Sequence, residues 1–252
     1  MINLLLAILA SPTFAKDKLI IGVESNDYYP HYQFINDELN GFARDLLDLY
    51  ASENNLEVEY RSIPLKRLIK EVRNGRFHFK YPDNPKWNKT EKEGMFQYTK
   101  PIVRYIDGTM VLDAYLKTPM KRIKRIGTLI GFTPWPYFDL IDKGEIEVIH
   151  GRSLEGIIQR TLQQGNDAIY ANIDVALYQL SQDYPEKTIG EFPLKFDSTL
   201  PYADSYYALS TVKYPGKLKK FEDWMLSNRD KIQKLEAKHG VGEFGILSQF
   251  SN

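Results

Sequence analysis

The first part of the chain alternates between two spacings of its apolar residues. Some segments repeat every second residue, as a half-buried strand does, and others repeat about every 3.6 residues, as an amphipathic helix does. Asn74-Gly75 is expected to end the second helical segment, because glycine readily adopts the left-handed conformation that follows a helix. The order strand, helix, strand, helix, strand predicts a parallel sheet with helices on its faces. The predicted strands are 19–24, 57–60 and 77–81, and the predicted helices are 42–50 and 65–72.

A second run of the same alternation follows a Pro-rich loop at 82–93. Ser153 is expected to cap one of its helices and Gly165 to end it. The run therefore predicts a second α/β unit and a helical C-terminal part. The predicted strands are 125–131, 146–149, 168–170 and 205–210, and the predicted helices are 137–143, 153–164, 173–180, 217–228 and 229–239.

Two extended segments connect the units. One crosses near Tyr105-Ile106, within an extended run at 102–112, and the other returns near Ala203-Asp204. Two crossings imply that the first unit contains both ends of the mature chain. We therefore predict a signal peptide at 1–15, a first lobe at 16–105 plus 204–252, and a second lobe at 106–203.

The N-terminal segment resembles a secretory signal. Its apolar run from Leu4 to Ala10 is too short to span a bilayer, and small residues end at Ala15, where cleavage is expected. A buried first helix is the alternative, but Ser11-Pro12 would break it. The sequence contains no cysteine, so neither a disulfide nor a lipid-bearing cysteine is expected. We predict a free protein in the periplasm.

Composition narrows the function classes. The chain has 33 basic and 33 acidic residues, which gives no electrostatic reason to expect nucleic acid as a partner. Its four histidines lack metal-ligand spacing, and it has neither a phosphate-binding glycine loop nor a nucleophile elbow. We therefore expect no metal, no cofactor and no catalytic residue. The 17 tyrosines are suited to recognition of small molecules that are partly polar and partly apolar.

Five segments in this order and spacing resemble the extracellular solute-binding proteins of family 3, the amino-acid-binding type. They lie at 18–34, 39–79, 98–102, 165–180 and 206–240 and cover most of the mature chain. The resemblance implies a two-lobed α/β periplasmic-binding-protein fold of type II, in which each lobe is a mixed sheet flanked by helices and two strands form a hinge. It also implies a monomer that closes on a small solute and delivers it to the membrane permease of an ABC transporter.

Loops beyond the carboxyl ends of the predicted strands are the expected ligand site. They lie at 25–34, 81–87, 131–137 and 170–174, and each has an aromatic ring beside polar groups. The candidate ligand-binding residues are Asp27, Tyr28, Tyr29, Tyr32, Tyr81, Asp83, Asn84, Trp87, Lys92, Thr133, Trp135, Asn172 and Asp174.

Structural roles are the alternative for several candidates. The three tyrosines of the first loop are equally suited to packing that loop onto its lobe. Asp83 and Asn84 are residue types that cap turns, and Asn172 stands where a helix N-cap is expected. Trp87 and Trp135 lie in Pro-rich loops rather than on helical stripes, which favours the cleft. His78 replaces the aspartate common after the second helix, and a structural role is expected for it.

Two positions depart from relatives that bind amino acids. Those relatives carry an arginine shortly before the segment at 98–102, where its planar fork grips a carboxylate. This chain has Lys92 there, which lacks the bidentate geometry. The relatives also carry an aspartate for the ligand's ammonium group where this chain has the neutral Asn172. An ordinary zwitterionic amino acid is therefore not the expected ligand, although Asp174 and Asp83 offer nearby anions.

Two other functions stay open at this point. A binding protein of this type is also able to present its closed form to a membrane sensor. Some relatives of the fold are dehydratases or lyases, which need one carboxyl group as a general acid or base. Glu24 and Asp27 are the candidates for that role. We favour a non-enzymatic solute-binding protein that captures a small polar, amino-acid-like or related solute.

Overall fold

The computed structural model describes residues 16–87, 94–132, 134–242 and 245. It confirms the two-lobed α/β fold with a mixed sheet. The strands are β1 (Asp17–Glu24), β2 (Gln33–Ile35), β3 (Glu38–Asn40), β4 (Leu56–Ile63), β5 (Phe79–Asp83), β6 (Gln97–Tyr98), β7 (Val103–Leu112), β8 (Arg125–Leu129), β9 (Glu147–Gly151), β10 (Ala168–Asn172), β11 (Leu194–Phe196) and β12 (Ala203–Thr211). The described α-helices are α1 (Phe42–Glu53), α2 (Leu65–Arg73), α3 (Phe138–Asp142), α4 (Leu154–Leu162), α5 (Ile173–Asp183), α6 (Pro215–Ser227) and α7 (Arg229–His239).

Three parallel strands form the centre of the first lobe. β1 lies between β4 and β5, in register from Asp17 opposite Leu56 to Glu24 opposite Ile63. Gly22 is required in β1, because a Cβ there would lie 2.2 Å from Leu68 Cδ1 and 2.5 Å from Phe77 Cδ2. Helix α2 can therefore pack closely on the sheet. The predicted β-α-β-α-β unit is confirmed.

The second lobe has its own set of strands. β10, β8 and β9 are parallel, while β7 runs antiparallel to β10 and also pairs with β11. Helix α4 begins as predicted, since Ser153 Oγ accepts a hydrogen bond from the Gly156 N–H at 3.2 Å. This sheet presents the carboxyl ends of β8 and β10 to the first lobe.

Two long antiparallel strands join the lobes. β7 and β12 pair from Ala203 opposite Asp107 to Tyr207 opposite Val103, and β12 then continues beside β5. Asp204 lies opposite Ile106, so the two predicted crossing points are neighbours in the sheet. The lobe boundaries drawn at these points remain a prediction.

Short strands were not predicted from the apolar spacing. β2 and β3 form a hairpin whose turn holds Asn36 and Asp37 at φ 51° and 64°. Asn and Asp tolerate this left-handed region better than most residues do. Within the described residues, the helices are too short or too polar to cross a membrane.

Candidate ligand-binding cleft

A cavity lies between the lobes, beside the paired strands β7 and β12. Its volume is about 50 Å³, which is room for only a few water molecules, whereas pockets for drug-sized ligands usually measure roughly 300–1,000 Å³. An organic solute that fills this cavity therefore requires the cavity to widen. The first lobe contributes Glu24, Asn26, Tyr28, Tyr32, Leu65, Pro82 and Trp87, and the second contributes Asp107, Leu129, Ile130, Gly131 and Phe132.

Aromatic rings form much of the wall. Tyr28 stacks on Tyr32 with ring centroids 5.5 Å apart, and Phe132 of the second lobe lies 6.5 Å from Tyr28. The short bridge between residues 28 and 32 holds both tyrosines in place. Trp87 lies 5.7 Å from Tyr207 of β12. The structure thus brings three of the predicted residues, Tyr28, Tyr32 and Trp87, to one cavity.

A buried charge cluster supports the first-lobe wall. Lys80 Nζ lies 3.1 Å from Glu24 Oε1 and 3.3 Å from Asp83 Oδ1, and it donates a hydrogen bond to the Pro82 carbonyl at 2.6 Å. Burial opposes ionisation of Lys80, but the carboxylates of Asp83 and Glu24 outweigh it, and its pKa is raised. Of these groups, Glu24 lines the cavity. Both Glu24 and Asp83 are at the carboxyl ends of parallel strands, as the loop argument required.

Asp107 is the second-lobe carboxyl group of the cavity, and it was not among the residues predicted from the sequence. It is 2% exposed on β7, and its Oδ1 accepts a 3.4 Å hydrogen bond from Asn172 Nδ2. Burial, reinforced by the nearby Asp174 carboxylate, raises its pKa well above the usual value. The available signal was the position of Asp107 beside Gly108, as the one acidic residue of this strand. The strand lies at a predicted crossing, where a polar residue reaches both lobes.

Asn172 has the N-cap role that was its structural alternative. Its Oδ1 accepts a hydrogen bond from the Val175 N–H at 3.1 Å, which satisfies a free donor of α5. Its Nδ2 donates to Tyr207 Oη at 3.1 Å as well as to Asp107. Asn172 therefore ties α5 to both connecting strands and orients the cavity carboxyl group.

A buried histidine lies behind this cluster. His31 Nε2 is 3.8 Å from Asp174 Oδ2, and the His31 ring meets the Tyr207 ring edge to face at 4.9 Å. Burial lowers the pKa of His31 to about 3, so the ring is neutral at pH 7. The structure places Asp174 in the first turn of α5, almost fully buried. Its contact with His31 is accordingly not an ion pair at neutral pH.

Asp83 and Asn84 make structural contacts in the first lobe. Asp83 accepts hydrogen bonds from the Asn84 N–H at 2.8 Å and from Ser210 Oγ at 2.6 Å. The Asn84 amide nitrogen lies 3.1 Å from Tyr105 Oη, 3.1 Å from Ser205 Oγ and 3.0 Å from the residue 206 carbonyl. Asn84 therefore contacts both β7 and β12, and its Oδ1 caps the following turn through the Lys86 N–H.

Two pairs of side chains meet across the cleft. The Tyr29 ring lies 4.4 Å from the Tyr178 ring of α5, and Lys86 Nζ lies 4.9 Å from the centre of the Trp135 ring. Asp27 is exposed at the same rim as Tyr29, where it accepts a hydrogen bond from Gln33 Nε2 at 2.8 Å. These candidates thus lie at the edges of the cleft rather than at its centre.

The remaining candidates lie elsewhere. Tyr81 is in the hydrophobic core of the first lobe. Lys92 and Thr133 fall outside the described residues, as does the predicted signal peptide at 1–15. His78 has the expected structural role, because its Nδ1 accepts a hydrogen bond from the Ile20 N–H at 2.9 Å.

Comparison with known proteins agrees with this architecture. The sequence model for bacterial extracellular solute-binding proteins, family 3, matches residues 19–190. No curated protein sequence matches the chain. Among solved structures, the arginine-, lysine- and histidine-binding protein ArtJ from Geobacillus stearothermophilus superposes with a TM-score of 0.67 at 15% identity, covering 94% of this chain and 100% of that chain.

Two further structures are similar at the level of fold. A histidine kinase sensor domain with similarity to periplasmic binding proteins has a TM-score of 0.71 at 14% identity, with 90% of this chain and 98% of that chain covered. The ancestral amino acid-binding protein AncCDT-1, a precursor of cyclohexadienyl dehydratase, has a TM-score of 0.69 at 16% identity, with coverages of 88% and 94%. The same architecture therefore occurs in binding, sensing and pre-enzymatic proteins.

Proposed function

This chain belongs to the bacterial extracellular solute-binding proteins, family 3, and from that membership we propose that it captures a small solute between its lobes by hinge closure. Membership implies a periplasmic or extracellular location and a small-molecule ligand. The observation that carries the proposal is the cavity lined from both lobes beside β7 and β12. Because one ligand would contact both lobes, its binding energy would favour the closed form over the open one.

The finer features of this proposal follow from the sequence. The protein is exported by a signal peptide cleaved near Ala15, acts as a monomer, and has lobes at 16–105 plus 204–252 and at 106–203. It hands its solute to the permease of an ABC-type importer. Tyr28, Tyr32 and Trp87 are the predicted residues whose position best supports ligand contact.

A membrane sensor is the second candidate partner, because a histidine kinase sensor domain shares the fold.

Catalysis on the same fold is a further candidate function. Glu24 is its best general acid or base by position, but its carboxyl group is already paired with Lys80 Nζ at 3.1 Å. Asp27 is exposed at the rim.

The test is a solute screen on the purified mature protein. Native mass spectrometry of freshly purified protein identifies a retained solute, and calorimetry against amino acids, amines, organic acids and sugars measures affinity. We expect one chemical class to bind and to reduce the radius of gyration measured by small-angle scattering. Absence of binding across the library, or binding with no compaction, contradicts closure around a solute. Mass spectrometry after incubation separates a binder, which returns the solute unchanged, from an enzyme.

A further inference from the structure

The cavity has an unbalanced set of charged groups. Glu24 enters it from the first lobe and Asp107 from the second. Among the described residues that line it, no lysine or arginine is present. Inside this cavity a solute therefore meets two carboxyl groups, one on each side, whereas the described cations Lys86 and Arg152 lie at the rim of the cleft.

The nearest buried cation is already engaged. Lys80 is 1% exposed and makes three polar contacts, with Glu24, Asp83 and the Pro82 carbonyl. Turning its ammonium group toward a ligand carboxylate would take the cation away from the buried Asp83 and the partly buried Glu24, which is unfavourable because a buried carboxylate without its partner is poorly solvated. Lys80 is thus a supporting group for Glu24 and does not act as an anion receptor.

The aromatic wall favours the same kind of ligand. A cation within about 6 Å of an aromatic ring centre is attracted by the negative face of the ring, most strongly for tryptophan. Tyr28, Tyr32, Trp87 and Phe132 all line the cavity. Trp87 already accepts such a contact, since Lys80 Nζ lies 5.7 Å from its ring centre. Rings and carboxylates together form a setting for an organic cation.

We propose that the cleft selects an organic amine by its positive charge, which the carboxyl groups of Glu24 and Asp107 face from opposite lobes, and that an α-carboxylate on the ligand weakens binding. This inference rests on the proposed function of the cleft and names the class of solute. A zwitterionic amino acid would bring its own carboxylate into a cavity whose described polar wall is acidic. An organic acid would meet the same repulsion with no compensating ammonium group.

Matched pairs of ligands test the charge rule directly. We compare agmatine with arginine, cadaverine with lysine, and tyramine with tyrosine, by calorimetry on the mature protein. The members of each pair differ only by the α-carboxylate. We expect at least one amine to bind at least tenfold more tightly than its amino-acid partner, and we expect no amino acid to show the reverse preference. A tenfold preference for any amino acid over its amine overturns the inference.

The wider solute library separates this inference from the proposed function. A library member that binds without net positive charge overturns the amine assignment and leaves solute binding intact. A cationic library member that carries no carboxylate and binds supports the assignment even if the three amines are the wrong size. If no solute binds at all, the proposed function fails, and the inference fails with it.

Two substitutions locate the charge recognition in the cleft. Asp107→Asn and Glu24→Gln each replace one carboxyl group with an amide of similar size, which cannot carry negative charge, and each is expected to weaken amine binding at least tenfold. Glu145→Gln removes an exposed acid from the second lobe and is the matched control, with unchanged affinity expected. Circular dichroism and thermal melts verify that each variant is folded. Because the two substitutions are in different lobes, one variant still tests the inference if the other does not fold. Wild-type amine affinity in both folded cleft variants overturns the inference.

Discussion

At the scale of single residues, Asp107 is expected to lower the stability of the unliganded protein. Its carboxyl group is buried, its side-chain hydrogen-bond donor within the described part of the chain is the neutral Asn172, and burial raises its pKa well above 3.8. The folded state therefore holds the Asp107 proton more tightly than the unfolded state does. The stability that this group contributes is greatest below pH 4 and decreases as pH rises from that value toward the raised pKa.

We expect Asp107→Asn to stabilise the unliganded protein at pH 8 by about 1–3 kcal/mol, the usual scale for a buried polar group that is poorly paired. The gain should shrink toward pH 4, because Asp107 is then protonated in both states. Urea unfolding at pH 4, 6 and 8 measures it. The neighbouring hydroxyls of Tyr28, Tyr105, Tyr170 and Tyr207 have pKa values raised above 10 and do not titrate in this range. Asp174 is present in both the wild type and the variant. A gain in stability that is the same at all three pH values would contradict the assignment to Asp107.

Asn84 is expected to be a stability determinant rather than a ligand contact. Asn84→Ala leaves Tyr105 Oη, Ser205 Oγ and a β12 carbonyl without this donor, and the first two of these contacts are buried. We expect a loss of about 1–3 kcal/mol in the free energy of unfolding, together with solute affinity within a few-fold of wild type. Gln182→Ala removes an exposed amide and should change stability by less than about 0.5 kcal/mol. A large loss of affinity at wild-type stability would show instead that Asn84 contacts the ligand.

Several residues near the cavity were predicted from the sequence, but their individual roles were harder to predict. Tyr28, Tyr32 and Trp87 follow strands at a sheet edge, so topology alone brings them to the cleft. Asn172 was expected as either an N-cap or a ligand contact, and the hydrogen bond to the Val175 N–H was beyond the reach of periodicity. Asp107 was missed because it lies inside a strand, and the loop argument considered only residues beyond strand ends. Its place in the cavity wall depends on how β7 passes between the lobes, which is a property of the tertiary structure.

At the scale of elements, long periodic segments were predictable and short ones were not. Helices α1 and α2 and strands β1 and β4 have enough residues for their apolar spacing to be recognised. β6 has two residues and β11 has three, and both exist because they pair with the long strands β12 and β7. Gly108 is needed within β7 for packing, because a Cβ there would lie 2.4 Å from Phe196 Cε2 of β11. Such pairings are long-range contacts that a local pattern does not encode.

The loops that carry tryptophan should report movement of the lobes. Trp87 lines the cavity, and Trp135 meets Lys86 of the opposite lobe. The third tryptophan, Trp224, packs on Tyr50 at 5.2 Å and donates to Glu53 Oε2 at 2.8 Å, within the first lobe. In variants that retain one tryptophan and carry Phe at the other two positions, the tightest-binding solute should change the emission of Trp87 and Trp135.

The Trp224-only variant is the matched control for this experiment. Its ring has the same surroundings whether the lobes are together or apart, so its emission should stay constant at saturating solute. Unchanged emission from both cleft tryptophans in variants that still bind would remove the proposed movement of these loops. An equal response from Trp224 would indicate a change within the first lobe instead.

At the scale of the whole molecule, a cavity of about 50 Å³ and contacts that bridge the lobes describe a closed arrangement, so solute entry should require opening about β7 and β12. The ring centroids of Tyr29 and Tyr178 lie 4.4 Å apart across the rim, and the chain has no native cysteine.

We expect the double variant Tyr29→Cys with Tyr178→Cys, joined by bismaleimidoethane in the absence of solute, to bind the solute at least tenfold more slowly in stopped-flow measurements. The same variant treated with N-ethylmaleimide carries equivalent adducts without the link and is expected to retain its rate, while mass spectrometry verifies the cross-link. Equal association rates for the linked and unlinked proteins would mean that the solute reaches its site without separation of the lobes at this rim, and hinge closure would then no longer explain how the cleft is filled.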